Sequence, residues 1–464
     1  MTPKRYVALP ALFALAMAAF AAGHPKVTPL DDFIRAADSH FHYELAKTIP
    51  GEGYTAYVLD LASQAWPPSA ELTDHPVWHH WLTIIKPDRV EGTSGFLFIT
   101  GGSVKDPAPA RVDAGNLDTA LATHSVVAEL RGIPNEPLVF KEEGKSRNED
   151  AIIAYTWVKF LKGGDTTWPL HFPMAKAAVR AMDAVTQFCA SDQGGRVKVE
   201  KYTVAGGSKR GWTTWLTAAA DPRVMAIVPM VIDTLNTEKA FNHHYQAYGF
   251  YSPAVKDYED MGIMNVAGTP KYRELLSLED PYSYRERFTM PKLMINSAGD
   301  QYFLPDSSQF YFDGLPGEKY LRYVPNTDHS LRNSDARESL IAFYDAVLHN
   351  RPRPRFSWKF EKDGRITVKC SDQPTEVKLW QATNPEKRDF RLVSLGPAYK
   401  ATVLTAKNGV YEAKLEKPGK GWTASFIELT FPSGGKYPFK FTTAVRVTPD
   451  TLPFPLPKPS GKLE

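Results

Sequence analysis

The sequence predicts an α/β fold, in which a mainly parallel sheet flanked by helices carries a helical insertion and is followed by a C-terminal β-sandwich. Three observations lead there. From about residue 95 to 349, short β-branched runs alternate with stretches of helical periodicity, the pattern of a parallel sheet with both faces covered. Residues 234–290 break that alternation with a segment rich in tyrosine. Past the proline-rich junction Arg351-Pro-Arg-Pro-Arg355, the chain turns into short alternating runs separated by turn residues. At 464 residues and 43% hydrophobic content, the chain can bury a large core and is long for one domain.

Taken in order, residues 51–66 and 77–87 read as early antiparallel strands, because aromatic and β-branched residues dominate them and turn formers end them. Gly95–Gly102 is an apolar run closed by paired glycines, as for a buried strand. Asn116–Leu130 reads as a helix, Pro137–Phe140 as a short strand, and Asp150–Leu161 and Pro173–Phe188 as helices. Strands are expected at 197–205, 224–232, 292–297 and 320–325, with an amphipathic helix at 334–349. The C-terminal runs begin at Phe356, Arg365, Glu376, Trp422 and Thr442 and predict a sandwich over 355–448, followed by an extended proline-rich tail at 449–464. The α/β unit then spans 23–350.

The first 22 residues read as an export signal. Lys4 and Arg5 precede the apolar stretch Val7–Phe20, and Ala19-Phe20-Ala21 fits the small-x-small cleavage rule. An uncleaved anchor is the alternative, which the shortness of the stretch disfavours. The expected location is therefore periplasmic or secreted, with no stable membrane span after cleavage. A formal charge of +3, from 55 basic against 52 acidic residues, gives no sign of a nucleic-acid partner. Cys189 and Cys370 fall in different predicted domains and are expected to be free thiols.

The most informative segment is Val197–Trp215. Its β-branched run enters Gly206-Gly207-Ser208-Lys209-Arg210-Gly211 and continues as a helix-compatible stretch. This is the layout of a nucleophile elbow, a strained strand-to-helix turn that exposes a serine oxygen and needs small neighbours. Gly206 stands two before the serine, but Gly211 stands three after it, and Arg210 fills the slot where glycine is usual. Read alone, the same residues describe a glycine-rich turn with a surface serine.

A serine hydroxyl needs a base, and the base needs an orienting acid. In the α/β-hydrolase fold these follow in the order Ser, acid, His, from loops after successive strands. Asp300 ends the run Leu293–Gly299, and His329 follows Tyr323–Asp328. The candidate catalytic residues are therefore Ser208, Asp300 and His329, with Asp306 and Asp328 as rival acids. The backbone N–H groups of Lys209 and Gly102 are the candidate oxyanion donors. Arg210 reads as a salt-bridging residue on the helix flank. The tyrosine-rich insertion is either a lid or substrate wall, or a packing layer with no substrate role, and Tyr245 and Tyr248 are its candidate substrate-binding residues. His40/His42, His79/His80 and His243/His244 lack metal-site spacing, and no dinucleotide or phosphate-loop motif occurs. No metal and no cofactor are expected.

Four segments carry a resemblance: Gly206–Trp215, Glu149–Trp157, Asn296–Phe303 and Trp380-Gln-Ala-Thr-Asn-Pro-Glu386. Over about residues 30–450 the chain resembles the PhoPQ-activated pathogenicity-related proteins, which include the autocrine proliferation repressor A-like proteins. The resemblance implies an exported α/β-hydrolase-like protein with a β-rich C-terminal part. It also implies a relationship to prolyl-oligopeptidase-type peptidases and a link to envelope stress or virulence. The expected function is a serine hydrolase cleaving an ester or peptide bond in a small-molecule or peptide substrate. The alternative is a non-catalytic signalling or binding protein on a hydrolase scaffold.

Overall fold

The computed structural model describes residues 26–67, 71–73 and 75–463. The expected export signal at 1–22 lies outside the described residues.

A short helix α1 (Pro29–Arg35) precedes three antiparallel strands, β1 (His42–Gly51), β2 (Tyr54–Ala65) and β3 (Val77–Pro87). The parallel part of the sheet begins with β4 (Ser94–Ile99). Helix α2 (Ala114–Thr123) follows, and then β5 (Val127–Leu130), where the sequence predicted one long helix over 116–130. The helix stops because His124 turns left-handed at φ 49°, and the β-branched Val126-Val127 then enters the sheet. A two-strand ribbon, β6 (Leu138–Val139) with β7 (Ser146–Arg147), leads to α3 (Asp150–Leu161) and α4 (His171–Ala190). Next come β8 (Lys201–Gly207), α5 (Lys209–Ala220) and β9 (Val224–Met230). The insertion holds α6 (Thr237–Tyr248), α7 (Lys256–Asp260) and α8 (Pro270–Glu279), and β10 (Lys292–Ser297), β11 (Lys319–Val324) and α9 (Ala336–Leu348) complete the α/β part.

The strand order β3-β5-β4-β8-β9-β10-β11 contains one reversal. From β4 the chain moves outward to β5, then crosses back to β8 on the other side of β4. The carboxyl ends of β4 and β8 therefore flank a topological switch point, the place where open α/β sheets bind ligands. Side chains alternate between two cores, as a two-residue strand period requires. Leu97, Val204 and Met294 face the layer of α1, α3, α4 and α5, whereas Phe96, Ala205 and Ile295 face α2 and α9.

The C-terminal strands are β12 (Phe356–Phe360), β13 (Arg365–Cys370), β14 (Glu376–Asn384), β15 (Lys400–Val403), β16 (Val410–Lys414), β17 (Trp422–Phe431), β18 (Phe439–Thr442) and β19 (Arg446–Thr448). A four-residue helix, α10 (Leu392–Leu395), lies between β14 and β15. They do not form a sandwich of two sheets of their own, as the sequence suggested. β18 pairs with β11, so β18, β17, β14 and β15 extend the central sheet, with β19 on β17. Only β12-β13-β16 form a separate sheet. Its Ile366, Val368, Tyr411 and Ala413 share a core with Ile427 and Phe441 of the extension and with Leu340 and Phe343 of α9. The join is narrow: Leu321 of β11 stands opposite Thr442 of β18, and the Tyr323 N–H donates to Thr442 Oγ1 at 3.0 Å.

Cys189 is buried in α4 and Cys370 ends β13, both as free thiols. Burial pushes the Cys189 thiol up to about 12, away from reactivity. Among the described residues, no helix is long and apolar enough to cross a membrane.

Candidate active site

Ser208 sits between β8 and α5 with φ 58° and ψ −128°, a region that a residue with a Cβ rarely adopts. Its N–H donates to the Met230 carbonyl at 2.8 Å, and its own carbonyl accepts the first helical bond, from Trp212, at 3.0 Å. The turn is thus pinned on both sides. A Cβ at Gly206 would lie 2.6 Å from the Arg210 carbonyl oxygen. One at Gly211 would lie 2.9 Å from the Met230 oxygen and 3.0 Å from the Gly206 oxygen. The displaced glycine is therefore the residue where α5 crosses the ends of β8 and β9. Arg210, in the usual glycine slot, turns toward the loop after β4, where a Cβ on Gly101 would lie 2.5 Å from its guanidinium. Its Nη2 pairs with Glu149 at 2.8 Å, and its Nε donates to the Ile133 carbonyl at 2.5 Å.

Asp300 and His329 meet at the carboxyl ends of β10 and β11. His329 Nδ1 lies 2.8 Å from Asp300 Oδ2. Asp300 is buried, and its other oxygen accepts the Tyr302 N–H at 2.7 Å. A buried carboxylate on Nδ1 fixes the proton there and leaves Nε2 as the basic nitrogen. Nε2 is buried without a hydrogen-bond partner among the described residues. Ser208 is therefore not bonded to His329 in this conformation, and such contacts often tighten only when substrate arrives. The ring itself packs on Tyr302, with centroids 4.3 Å apart, and its backbone N–H donates to Gln301 Oε1 at 3.1 Å.

The rival acids are engaged elsewhere. Asp306 binds Arg388 and His243, and Asp328 bonds Ser330 near the surface. A further buried carboxylate, Asp233, follows β9 and accepts hydroxyl bonds from Tyr311 and Tyr323, each at 2.6 Å. Burial outweighs those two donors and raises Asp233 to about 7.

A narrow cavity of about 40 Å³ opens beside Ser208. Its walls are apolar and aromatic: Ile153 and Trp157 from α3, Trp212 from α5, and Tyr302 with Phe303 after β10. The insertion supplies Phe241, Tyr258, Ile263 and Tyr272. Of the two open readings of the insertion, the structure thus gives it a wall of this cavity. Tyr245 and Tyr248 are not part of that wall. Tyr245 packs on Tyr251 at 5.0 Å, and Tyr248 is buried beneath Arg391 at 4.7 Å. Both share the helical face of Thr237 and Phe241 but stand one and two turns further along α6. The sequence marked them by density of tyrosine; position along α6, not its face, separates them from Phe241.

The two candidate oxyanion donors fare differently. Lys209 lines the cavity, and its N–H belongs to the first turn of α5, where no intrahelical acceptor exists. Gly102 does not line it. Gly102 has φ 144°, and a Cβ there would meet Asp106 and the Gly132 N–H. The Lys209 ammonium reaches Glu149 at 2.5 Å and Asp150 at 3.5 Å. Burial would raise Glu149, but the Lys209 and Arg210 charges beside it hold it below the usual carboxylate range. Glu136, whose carboxylate accepts the Glu149 N–H, is raised by burial and by Glu149 itself. Glu149 has φ 51° and ψ −130°, nearly the backbone of Ser208. Glu149 and Trp157 lay in a segment that the sequence singled out but to which it gave no role. Their signal was the dense Glu-Asp and aromatic content at the start of a helix.

The paired histidines have ordinary partners. His79 bonds Asp60, His80 lies between Ser63 and the Gly132 carbonyl, and His244 accepts the Ser252 N–H at 2.9 Å.

A family model described as PhoPQ-activated pathogenicity-related protein matches residues 30–391. Autocrine proliferation repressor protein A of Dictyostelium discoideum is 39% identical over 462 residues, covering 92% of this chain and 92% of that protein. Among solved structures, the acetyl xylan esterase of Paenibacillus sp. R4 is 14% identical with a TM-score of 0.49, covering 69% of this chain and 92% of that one. The acylaminoacyl peptidase of Pyrococcus horikoshii is 12% identical with a TM-score of 0.40, covering 67% of this chain and 57% of that one.

Proposed function

The chain belongs to the PhoPQ-activated pathogenicity-related protein family, and from that premise we propose that it is a serine hydrolase acting on an ester or peptide bond. Ser208 is the nucleophile, His329 the general base and then acid, and Asp300 the group that orients the imidazole. One observation carries the reading. The Asp300–His329 contact of 2.8 Å stands at the carboxyl ends of two strands, and a serine in strained backbone stands at the end of a third, beside an apolar cavity.

In this mechanism His329 Nε2 takes the Ser208 proton as the oxygen attacks the substrate carbonyl, and Asp300 stabilises the imidazolium that forms. The Lys209 N–H donates to the developing oxyanion. His329 returns the proton to the leaving group, and water then releases the acyl group by the same steps in reverse. The apolar cavity receives the side group next to the scissile carbonyl. Gly102 supplies a second oxyanion donor only if the loop after β4 shifts toward Ser208.

A fluorophosphonate probe tests the assignment. Wild type labels at Ser208, and Ser208→Ala does not; equal labelling of the two folded proteins would sink it. Turnover of Xaa-Pro amides against short acyl esters separates peptidase from esterase. Export is tested by N-terminal sequencing of the mature protein, which is expected to begin near residue 22, and the link to envelope stress by expression under that stress.

The relative's name favours a second reading, in which this chain is a non-catalytic signalling or binding protein on a hydrolase scaffold. That reading requires Ser208→Ala to retain biological activity, and loss of activity in the folded variant counts against it.

A further inference from the structure

Between β14 and β15 the chain leaves the sheet and runs from Pro385 to Tyr399 across the loops that carry Asp300 and His329. The acid loop is held at three points. Leu392 N–H donates to the Gly299 carbonyl at 2.8 Å, and the Tyr399 hydroxyl donates to the Ala298 carbonyl at 3.3 Å. Arg388 Nη2 donates to Asp306 Oδ2 at 2.6 Å. The histidine loop is held by a reciprocal pair: Tyr399 N–H to Asn326 Oδ1 at 2.9 Å, and Asn326 Nδ2 to the Tyr399 carbonyl at 3.0 Å. A relay closes the set. Arg391 donates to Ser252 Oγ at 3.2 Å, Ser252 donates to the Gln301 carbonyl at 2.7 Å, and the Gln301 side chain accepts the His329 N–H.

Arg388 is buried, with 2% of its surface exposed. Asp306 Oδ2 also accepts from His243 Nε2 of α6, at 3.0 Å. One buried carboxylate thus joins the C-terminal segment, the acid loop and the insertion helix. Burial would raise Asp306, but Arg388 and His243 outweigh it and hold the carboxyl far below its usual range. A buried guanidinium is costly unless it is paired and hydrogen-bonded, and because replacing a whole buried pair by apolar residues often leaves stability unchanged, what such a pair adds is a service other than stability. Holding an imidazole and a carboxylate on two separate loops in productive register is such a service.

We propose that residues 388–399 form a clamp that positions Asp300 and His329, and that Arg388 is its principal positioning residue, acting through Asp306 and His243. The proposal rests on the reading of Ser208, His329 and Asp300 as the reacting set.

The test is the rate of fluorophosphonate labelling of the full chain, measured for each variant well below its own unfolding midpoint. Arg388→Met is expected to label at least tenfold more slowly than wild type. Arg388→Lys returns a cation to Asp306 and is expected to recover to within about threefold of wild type. A purely structural arginine would lower the unfolding midpoint without this split. Folded Arg388→Met labelling at the wild-type rate overturns the clamp, as does Arg388→Lys as slow as Arg388→Met. If wild type itself does not label, the nucleophile reading fails and amide hydrogen exchange decides the clamp. Amides 300–303 and 327–329 are then expected to exchange at least tenfold faster in Arg388→Met, and unchanged protection refutes it. Should Arg388→Met not fold, Tyr399→Phe carries the same exchange test at amides 298–300, with faster exchange expected and equal exchange refuting it.

Discussion

Replacing Ser208 by glycine should make the protein more stable than replacing it by alanine, the reverse of the order in helix interiors. Alanine at 208 must keep φ 58° and ψ −128°, because the Met230 and Trp212 bonds fix the turn on both sides. A residue with a Cβ in such a region costs about 1–3 kcal/mol. Glycine removes that cost but adds about 0.4–1 kcal/mol of unfolded-chain entropy. The difference leaves Ser208→Gly more stable than Ser208→Ala by about 0.5–2 kcal/mol, by those same two terms. The control is Ala218→Gly within α5, where no left-handed backbone is needed and glycine should cost about 1 kcal/mol. Equilibrium denaturant unfolding of the three variants and wild type reads both signs. If Ser208→Gly is less stable than Ser208→Ala, the elbow stores no strain and the argument for a tensioned turn is wrong.

Gly211→Ala should destabilise by about 1–3 kcal/mol despite alanine's better helix propensity, since its Cβ would press on the Met230 and Gly206 carbonyls; thermal unfolding measures it. Asp233 keeps its proton in the folded state up to about 7, because burial outweighs its two tyrosine donors, whereas the unfolded carboxyl releases it near 3.8. The folded state therefore binds the extra proton between those values, and this contribution, on the order of 4 kcal/mol, is present below pH 4 and lost as pH rises through 7. Stability measured against pH should flatten over that window in Asp233→Asn. Ile153→Phe narrows the cavity beside Ser208 and should lower kcat/KM for bulky acyl esters about tenfold relative to acetyl esters, a discrimination of about 1.4 kcal/mol; paired ester assays read it directly.

The parallel core was legible because burial on both faces forces continuous apolar runs, and β8, β9, β10 and β11 lie within a few residues of where those runs were seen. The elbow and the Asp300 and His329 loops were legible for the same reason, since each closes such a run. β1 was missed: it is an edge strand, largely exposed, and its Lys47 and Pro50 leave no apolar alternation to detect. The join of β11 to β18 was not legible either. It spans more than a hundred residues and rests on one residue pair, Leu321 with Thr442, and on a bond to the Thr442 hydroxyl, none of which a local pattern marks. The cavity wall was half legible, as tyrosine density located the insertion but not which turn of α6 stands beside Ser208. Arg388 escaped notice because nothing local distinguishes a buried guanidinium from a solvated one; only the fold brings Asp306 and His243 to it.

The seam between β11 and β18 also dictates an order of events during synthesis. The ribosome completes the α/β half long before Phe439–Thr442 emerges, so for that interval β11 has an unpaired flank while Ser208, Asp300 and His329 already exist. Such a flank is a template for the same strand of a neighbouring chain, and exchange of β18 between two nascent copies would satisfy it equally well. A chain cut at Arg351–Arg355 would carry that liability permanently. Such a fragment has no β18 to offer and should therefore recover as aggregates or edge-paired oligomers rather than as a smaller folded unit.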